Sequence, residues 1–442
     1  MAHYFFIGIA GTGMSAIAQY MKAAGHRISG SDRQFLSGES NETLTALHAQ
    51  GIECFPQGAG GLTASVDVVV VSTAIENSVP EVQVAQHLGK PILRRSELLA
   101  QIVASKKTIA VGGTSGKSTT AAMIYEILHH ARHKPSVITG AGLTRLIREG
   151  LIGNAAYGQG AWLVIEADES DGSIVNYHPE VGLLLNVDKD HQDIDALMAL
   201  FETFASHSRN FITNLSHPLS ASLSTGSPFD FSVAEDFDQQ GTAVQFSVDG
   251  VTFRIQSPGR HTMENALAAI AAARSIGISL EQCADALQSY EGIYRRHQIY
   301  GERNGIVFID DYAHNPVKCA RSIEACQPFS KKLIAWFQPH GYGPTRFLRN
   351  DFVQEIAQAL RPQDEIWMSE IYYAGGTAVK DISSADLIND LKSRGANAFF
   401  VANRGDLIQQ MRPHFEPGTT LLLMGARDPS LAEFAKEVYQ AL

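Results

Sequence analysis

Cysteine is scarce: four in 442 residues, Cys54, Cys283, Cys319 and Cys326, with no CxxC spacing and no histidine cluster beside them. That pattern provides no framework for structural disulfides or zinc, and fits core thiols in a reducing compartment. No uninterrupted apolar run reaches the roughly 18 residues a membrane helix needs. A basic excess is missing too. Lys plus Arg number 35 against 46 Asp plus Glu, a formal net charge of −11, so nothing is available to neutralise a nucleic-acid backbone. The N-terminal MAHYFFIGIAGTGMSAIAQ is apolar but has no Lys or Arg before the apolar stretch, and its glycines suit a strand–turn–helix better than a signal peptide. These absences lead us to expect a cytoplasmic protein without nucleic-acid or membrane partners, its oligomeric state unknown.

With 45% hydrophobic and 18% charged residues, the chain is expected to pack as ordinary globular domains, about three of them at this length. HYFFIGIA reads as a strand, TGMSAIAQYMKAAG as a helix closed by Gly25, and HRISGSD as the next strand. VDVVVVSTAI is nearly all β-branched, as in a parallel strand buried on both faces. SELLAQIVASKK is a helix leading to a linker near Lys106 and Lys107. TIAVGGTSGKSTTAAMIYEILHHA then repeats strand, glycine loop and helix, followed by strands at WLVIEAD and VGLLLNV. Residues 211–256 suggest a small antiparallel patch, and HTMENALAAIAAARSIG a helix. Strands at GIVFIDD, KKLIAWF, DEIWMSE, NAFFVA and TTLLLMGA alternate with helical TRFLRNDFVQEIAQAL and SSADLINDLKSRG. The expected fold is α/β with three domains in series: a Rossmann-like domain over 1–105, a P-loop domain with the antiparallel patch over 106–297, and a Rossmann-like domain over 298–442.

Two glycine loops stand at strand-to-helix junctions. In GIAGTGMSA, Gly11, Gly13 and Ala16 approximate GxGxxG/A, with Asp32 ending the next strand. Backbone N–H groups there suit a pyrophosphate, and any nucleotide diphosphate satisfies the same physics. GGTSGKSTT is the stronger signal. Gly113, Thr114 and Gly116 precede Lys117, Ser118 and Thr119, placing amides and an ammonium for phosphates and a hydroxyl for Mg²⁺, although Val111 stands where the full P-loop pattern has glycine. EADESD and DKDHQD place Glu166, Asp168, Glu169, Asp171, Asp188, Asp190, His191 and Asp193 after strands, as oxygen-rich Mg²⁺ surroundings. Asp310, Asp311 and His314 follow another strand. Arg295 and Arg296 in YRRHQ suit either an anion contact or interdomain salt bridges.

Taken in order, GIAGTGMS, VVVVSTAI, GGTSGKSTT, EADESD, DKDHQD, GRHTMENALAA, YRRHQ, DDYAHNP, FQPH and MGA resemble the Mur ligases along essentially the whole chain. The resemblance implies an ATP- and Mg²⁺-dependent, amide-forming ligase of cell-wall assembly, with a UDP-binding domain, a central ATPase domain and a closing C-terminal domain that brings the amino acid. By that resemblance Gly11, Thr12, Gly13, Met14, Asp32 and the Ser72, Thr73, Ala74 segment hold a UDP-sugar. Gly113, Thr114, Gly116, Lys117, Ser118, Thr119, Asn265, Arg296 and Asp311 hold ATP. Ser118, Glu166 and His191 hold metal, Glu169 competing with Glu166, and Lys117, Glu166, His191 and Arg296 carry catalysis. His314, His340, Tyr342 and Arg346 line the acceptor region. The implied substrates are a UDP-sugar, ATP, and an amino acid or short peptide. Residues 192–210 contain no lysine, which agrees with the alanine-adding branch. That branch reads FQPHRYxRTR where this chain reads FQPHGYGPTR, so Gly341 and Pro344 replace two arginines and remove two guanidinium forks. Ser115 stands where the family's P-loop commonly has histidine. The expectation is that nucleotide handling survives while the acceptor differs from free L-alanine or binds through other residues.

Overall fold

The computed structural model describes residues 1–35, 41–58, 60–188, 193–373, 375 and 378–442. The continuous apolar runs of the sequence belong to strands covered on both faces. In β1 (His3–Ile7), Phe6 enters one core while Phe5 and Ile7 enter another, as the two-residue period of a strand requires. β1 pairs in parallel with β2 (Arg27–Asp32) and with β4 (Val68–Val71). β3 (Glu53–Pro56) and β5 (Ile92–Arg94) complete a sheet of order β3-β2-β1-β4-β5. Chain direction across this sheet reverses between β1 and β4, the place where open α/β sheets leave a crevice at their C-terminal edge.

A second sheet is built around β6 (Lys107–Gly112), with β7 (Ser136–Ile138), β8 (Ala155–Ala156), β9 (Trp162–Glu166), β10 (Val181–Leu184) and β11 (Asn210–Thr213) in the order β11-β10-β6-β9-β7-β8. All neighbours are parallel except β7 with β8. The antiparallel patch is present but begins later than expected. β12 (Asp238–Gln240), β13 (Ala243–Val248) and β14 (Val251–Ile255) form it, whereas residues 210–213 pair in parallel as the edge of the second sheet. The first two sheets lie in one compact unit, Met1–Glu235 with Ser247–Phe253 and Met263–Ile293.

The other unit, Asp236–Phe246, Arg254–Thr262 and Tyr294–Leu442, holds β15 (Gln298–Arg303), β16 (Ile306–Asp311), β17 (Lys332–Phe337), β18 (Glu365–Met368), β19 (Asn397–Phe400) and β20 (Thr419–Met424). Their order is β15-β16-β20-β17-β18-β19, parallel apart from β15. Leu333, Ala335 and Phe337 face one core and Ile334 and Trp336 the other, which explains why LIAWF shows no polar alternation. TRFLRNDFVQEIAQAL is not one helix. A short helix spans Tyr342–Phe347, and a second, Arg349–Ala359, follows Leu348. Gly341 supplies the positive φ of 73° before the first, and Pro344 sits in its opening turn, where a missing N–H costs nothing. Cys283, Cys319 and Cys326 are buried free thiols and Cys54 is half-buried. No helix among the described residues is long and apolar enough to cross a membrane.

Candidate active site

At the first glycine loop, the helix Thr12–Ala23 begins at Gly11 with no side-chain cap, leaving its first amides open toward the crevice. Asp32 braces this loop rather than projecting from it: Oδ2 accepts from Ala10 N at 2.9 Å and Oδ1 from Gln34 N at 2.9 Å. Ser72, Thr73 and Ala74 lie in a turn closed by Ile75 N donating to Ser72 O at 3.1 Å, and the Ile75 side chain comes against Gly8. Two residues absent from the sequence reading lock this loop to the second sheet. Buried Asn154 donates Nδ2 to Thr12 O at 2.7 Å and to Ser15 Oγ at 3.0 Å, and accepts from Gln19 Nε2 at 2.8 Å. Arg95 lies directly over Gly13 and pairs with Asp171 at 2.9 Å. Asn154 follows Gly153 in IGNAAYG, a faint signal; Arg95 in a helical run gave none.

The second loop leaves β6 through Gly113 (φ 131°) and Gly116 (φ 89°), and the helix Lys117–His130 starts there. A side chain at either glycine would be strained by these angles. At 116 a Cβ would also come within 2.3 Å of Asn265 Oδ1. The loop is laced to the chain leaving β10. Ser115 N donates to Asn186 Oδ1 at 2.8 Å, Asn186 Nδ2 to Ser115 O at 3.0 Å, and Asp188 N to Thr114 Oγ1 at 2.9 Å. Lys117 Nζ donates to Gly113 O at 2.7 Å and to Glu169 Oε2 at 2.8 Å. Glu166, at the end of β9, turns to the neighbouring loop instead. Its Oε1 accepts from Gly140 N at 2.8 Å and from the Thr139 hydroxyl, while Oε2 takes no hydrogen bond from a described residue. Ser118 is buried in the first turn beside Thr119. His191 lies outside the described residues, and no cluster of three or more His, Cys, Asp or Glu side chains suited to a metal occurs among those described. Ser118 and the open oxygen of Glu166 are hard oxygen donors of the type Mg²⁺ takes when phosphates complete its shell, so the residues fit that ion.

In the other unit, the paired arginines divide their work. Arg295 is buried and forked onto Asp310, Nε–Oδ2 2.8 Å and Nη2–Oδ1 3.2 Å, with Nη2 also donating to Gly425 O at 2.9 Å. Arg296 stands over the Tyr312 ring at 5.6 Å. Asp311 is buried and fully engaged: Oδ1 accepts from His297 N and Tyr312 N, and Oδ2 from the Ser322 hydroxyl at 2.7 Å. Burial pushes its pKa up, but His297, Ser322 and Arg296 together outweigh that and hold it below the usual carboxylate value. Its side chain therefore acts as a brace in this structure. His314 Nδ1 lies 2.9 Å from Tyr312 O, which leaves Nε2 as the free acceptor. Burial lowers its pKa to about 4, so it is neutral at pH 7. His340 is also shifted down, by burial and then by Arg427, and its buried Nδ1 has no partner among the described residues. The two rings are 5.9 Å apart. The loop after β17 is latched to the one after β18 through Gly341 N to Tyr372 O and Tyr372 N to Pro339 O, both 2.8 Å. Tyr342 packs edge-on to Tyr373, with Lys380 over both rings, and Arg346 pairs with Asp381.

A P-loop on one α/β sheet, a second glycine loop tied to it, and a further α/β sheet with histidines on its C-terminal edge are the parts of a nucleotide-binding protein built from three α/β sheets. Family models match along the chain: the Mur ligase catalytic domain at residues 3–107, the Mur ligase middle domain at 111–273, and the Mur ligase glutamate ligase domain at 295–427. The UDP-N-acetylmuramate–L-alanine ligase of Carboxydothermus hydrogenoformans is 33% identical over 95% of this chain and 93% of its own length, and that of Agrobacterium fabrum 34% over the same shares. Among solved structures, the UDP-N-acetylmuramate–alanine ligase of Thermotoga maritima superposes with a TM-score of 0.82 at 26% identity, covering 100% of both chains. A murein peptide ligase from Psychrobacter arcticus shares the fold at 0.65 and 21% identity, over 100% of this chain and 98% of its own. The chain belongs to the Mur ligase family, and it is an ATP-dependent ligase.

Proposed function

We propose that the chain forms an amide between UDP-N-acetylmuramate and an amine acceptor through an acyl phosphate, in peptidoglycan precursor synthesis in the cytoplasm. The observation that carries this reading is the Lys117–Glu169 pair at the head of the P-loop helix; Glu166, at the end of the neighbouring strand β9, presents an open oxygen. Gly11, Thr12, Gly13 and Met14, with Ser72, Thr73 and Ala74, bind the UDP-sugar; Asp32 keeps their loop in shape. The loop Gly113–Gly116 directs amides at the ATP phosphates, and Ser118, Thr119 and Asn265 complete that pocket. The sugar's carboxylate oxygen attacks the γ-phosphorus as the bond to ADP breaks, and Lys117, exchanging Glu169 for phosphate oxygens, stabilises the charge that moves onto the leaving group. Mg²⁺ held by Ser118, Glu166 and His191 would screen the phosphate oxygens. The acceptor amine then attacks the acyl carbon and inorganic phosphate leaves. Arg296 and Asp311 are assigned to the nucleotide, and His314, His340, Tyr342 and Arg346 to the acceptor.

Gly341 and Pro344 favour a second reading within the same chemistry, in which the acceptor is a different amino acid or a short peptide. Incubation with UDP-N-acetylmuramate, ATP and Mg²⁺, with each amino acid or L-alanyl-γ-D-glutamyl-diaminopimelate in turn, separates the two by acceptor-dependent phosphate release. No release with any acceptor would overturn the ligase reading.

A further inference from the structure

The edge of the second unit's sheet carries a cation with no role in the account above. β20 lies between β16 and β17, and a single rung of the sheet aligns Asp311, Met424 and Phe337. Three residues beyond that rung, the three chains carry His314, Arg427 and His340. The outer two rings are only 5.9 Å apart, so these segments leave the sheet together. Arg427 is exposed and has no ion pair among the described residues. The carboxylate next to it in sequence, Asp428, is already held by Arg404 and by the Ser430 hydroxyl. Both histidines are neutral at pH 7 and supply no countercharge. Among the other cations of this unit, Arg346 pairs with Asp381, Arg295 pairs with Asp310, Lys380 lies over the faces of two tyrosines, and Arg296 lies over the face of Tyr312.

A guanidinium carried by the chain that runs between the two bearing neutral imidazoles, at a C-terminal sheet edge and with no counter-ion among the described residues, is arranged to receive an anion from outside. The same edge is where Gly341 and Pro344 withdraw two guanidinium groups. We infer that Arg427 binds the acceptor's carboxylate, which makes the acceptor an amine that carries a free carboxylate and moves its recognition from the β17 loop to the β20 loop. This inference rests on the acceptor reading of the previous subsection. Phosphate or the sugar's own carboxylate could engage the same fork, and the test separates them.

Initial rates are measured with L-alanine, L-alaninamide and the tripeptide L-alanyl-γ-D-glutamyl-diaminopimelate, for the wild type and for Arg427→Gln, Arg427→Lys and Lys380→Ala. Arg427→Gln should raise the acceptor KM about 30-fold, the loss of one charge-assisted, two-point contact, with kcat falling far less. Arg427→Lys should fall between, and the preference for a free carboxylate over the carboxamide should vanish in Arg427→Gln. KM for ATP and for the UDP-sugar should stay where they are. An unchanged acceptor KM, a rise confined to ATP or the UDP-sugar, or a rise in Lys380→Ala instead overturns the inference while leaving the ligase reading intact. Wild-type protein without turnover on any acceptor overturns both.

Discussion

Lys117 shows how little of a site's chemistry can be assigned from residue type alone. Its ammonium is engaged by Gly113 O and Glu169, so phosphate binding must exchange one carboxylate for another anion. Glu166 and Glu169 stand three residues apart in one acidic loop, and the sequence could not separate them. What separates them is a contact 52 residues away with Lys117 and another, 26 away, with the Gly140 amide. The assignment is testable. Glu166→Gln should raise the Mg²⁺ concentration for half-maximal phosphate release about tenfold, the usual scale for losing one ligand or its support. Glu169→Gln should leave that concentration unchanged and alter the KM for ATP. The opposite pattern in a Mg²⁺ titration at fixed ATP would reverse the two roles.

At the scale of elements, the strands and both glycine loops were legible because their signals are local: apolar runs bounded by glycine, and glycines spaced for a turn into a helix. The bonds that lock those loops were not legible, because they join distant segments. Asn154 reaches Thr12 across 142 positions, Arg95 reaches Asp171 across 76 and Asn186 reaches Ser115 across 71. The helix Tyr342–Phe347 was hidden by its own Gly and Pro, which normally mark a loop. Here they occupy the one turn that tolerates them. Two expectations follow. Asn154→Ala strips Thr12 O, Ser15 and Gln19 of a buried partner, which should cost about 1–3 kcal/mol in urea unfolding and raise the KM for the UDP-sugar more than that for ATP. Gly116→Ala forces a Cβ toward Asn265 Oδ1 at a φ of 89°. Its expected effect is to weaken binding of a non-hydrolysable ATP analogue at least tenfold, read by calorimetry. Unaltered affinity would mean that the loop does not form the phosphate cradle.

At the scale of the whole molecule, the order of motifs read along the chain already implied three α/β parts, because each part announces itself by a strand entering a glycine or acid-rich turn. Burial of histidine could not be read in that way. It depends on which faces become covered, and it predicts how the chain responds to acid. In the second unit, burial lowers His261 to about 3 and His314 to about 4, from a free value near 6.5. Below pH 6.5 the unfolded chain takes up protons that the folded one refuses, so stability falls as pH drops from about 6.5 toward those folded values. Asp311, held below its usual pKa, adds a loss of the same sign only at more acid pH, below about 3.9. Between pH 6.5 and 5, His261 alone should remove up to about 2 kcal/mol. Trp336 and Trp367 are both buried in this unit, so in a Trp162→Phe background their fluorescence follows its unfolding. The urea midpoint should fall steadily from pH 7 to pH 5, and less steeply in His261→Gln, whose side chain takes up no proton. A midpoint that stays level or rises on acidification would mean that these imidazoles are not held neutral by the fold.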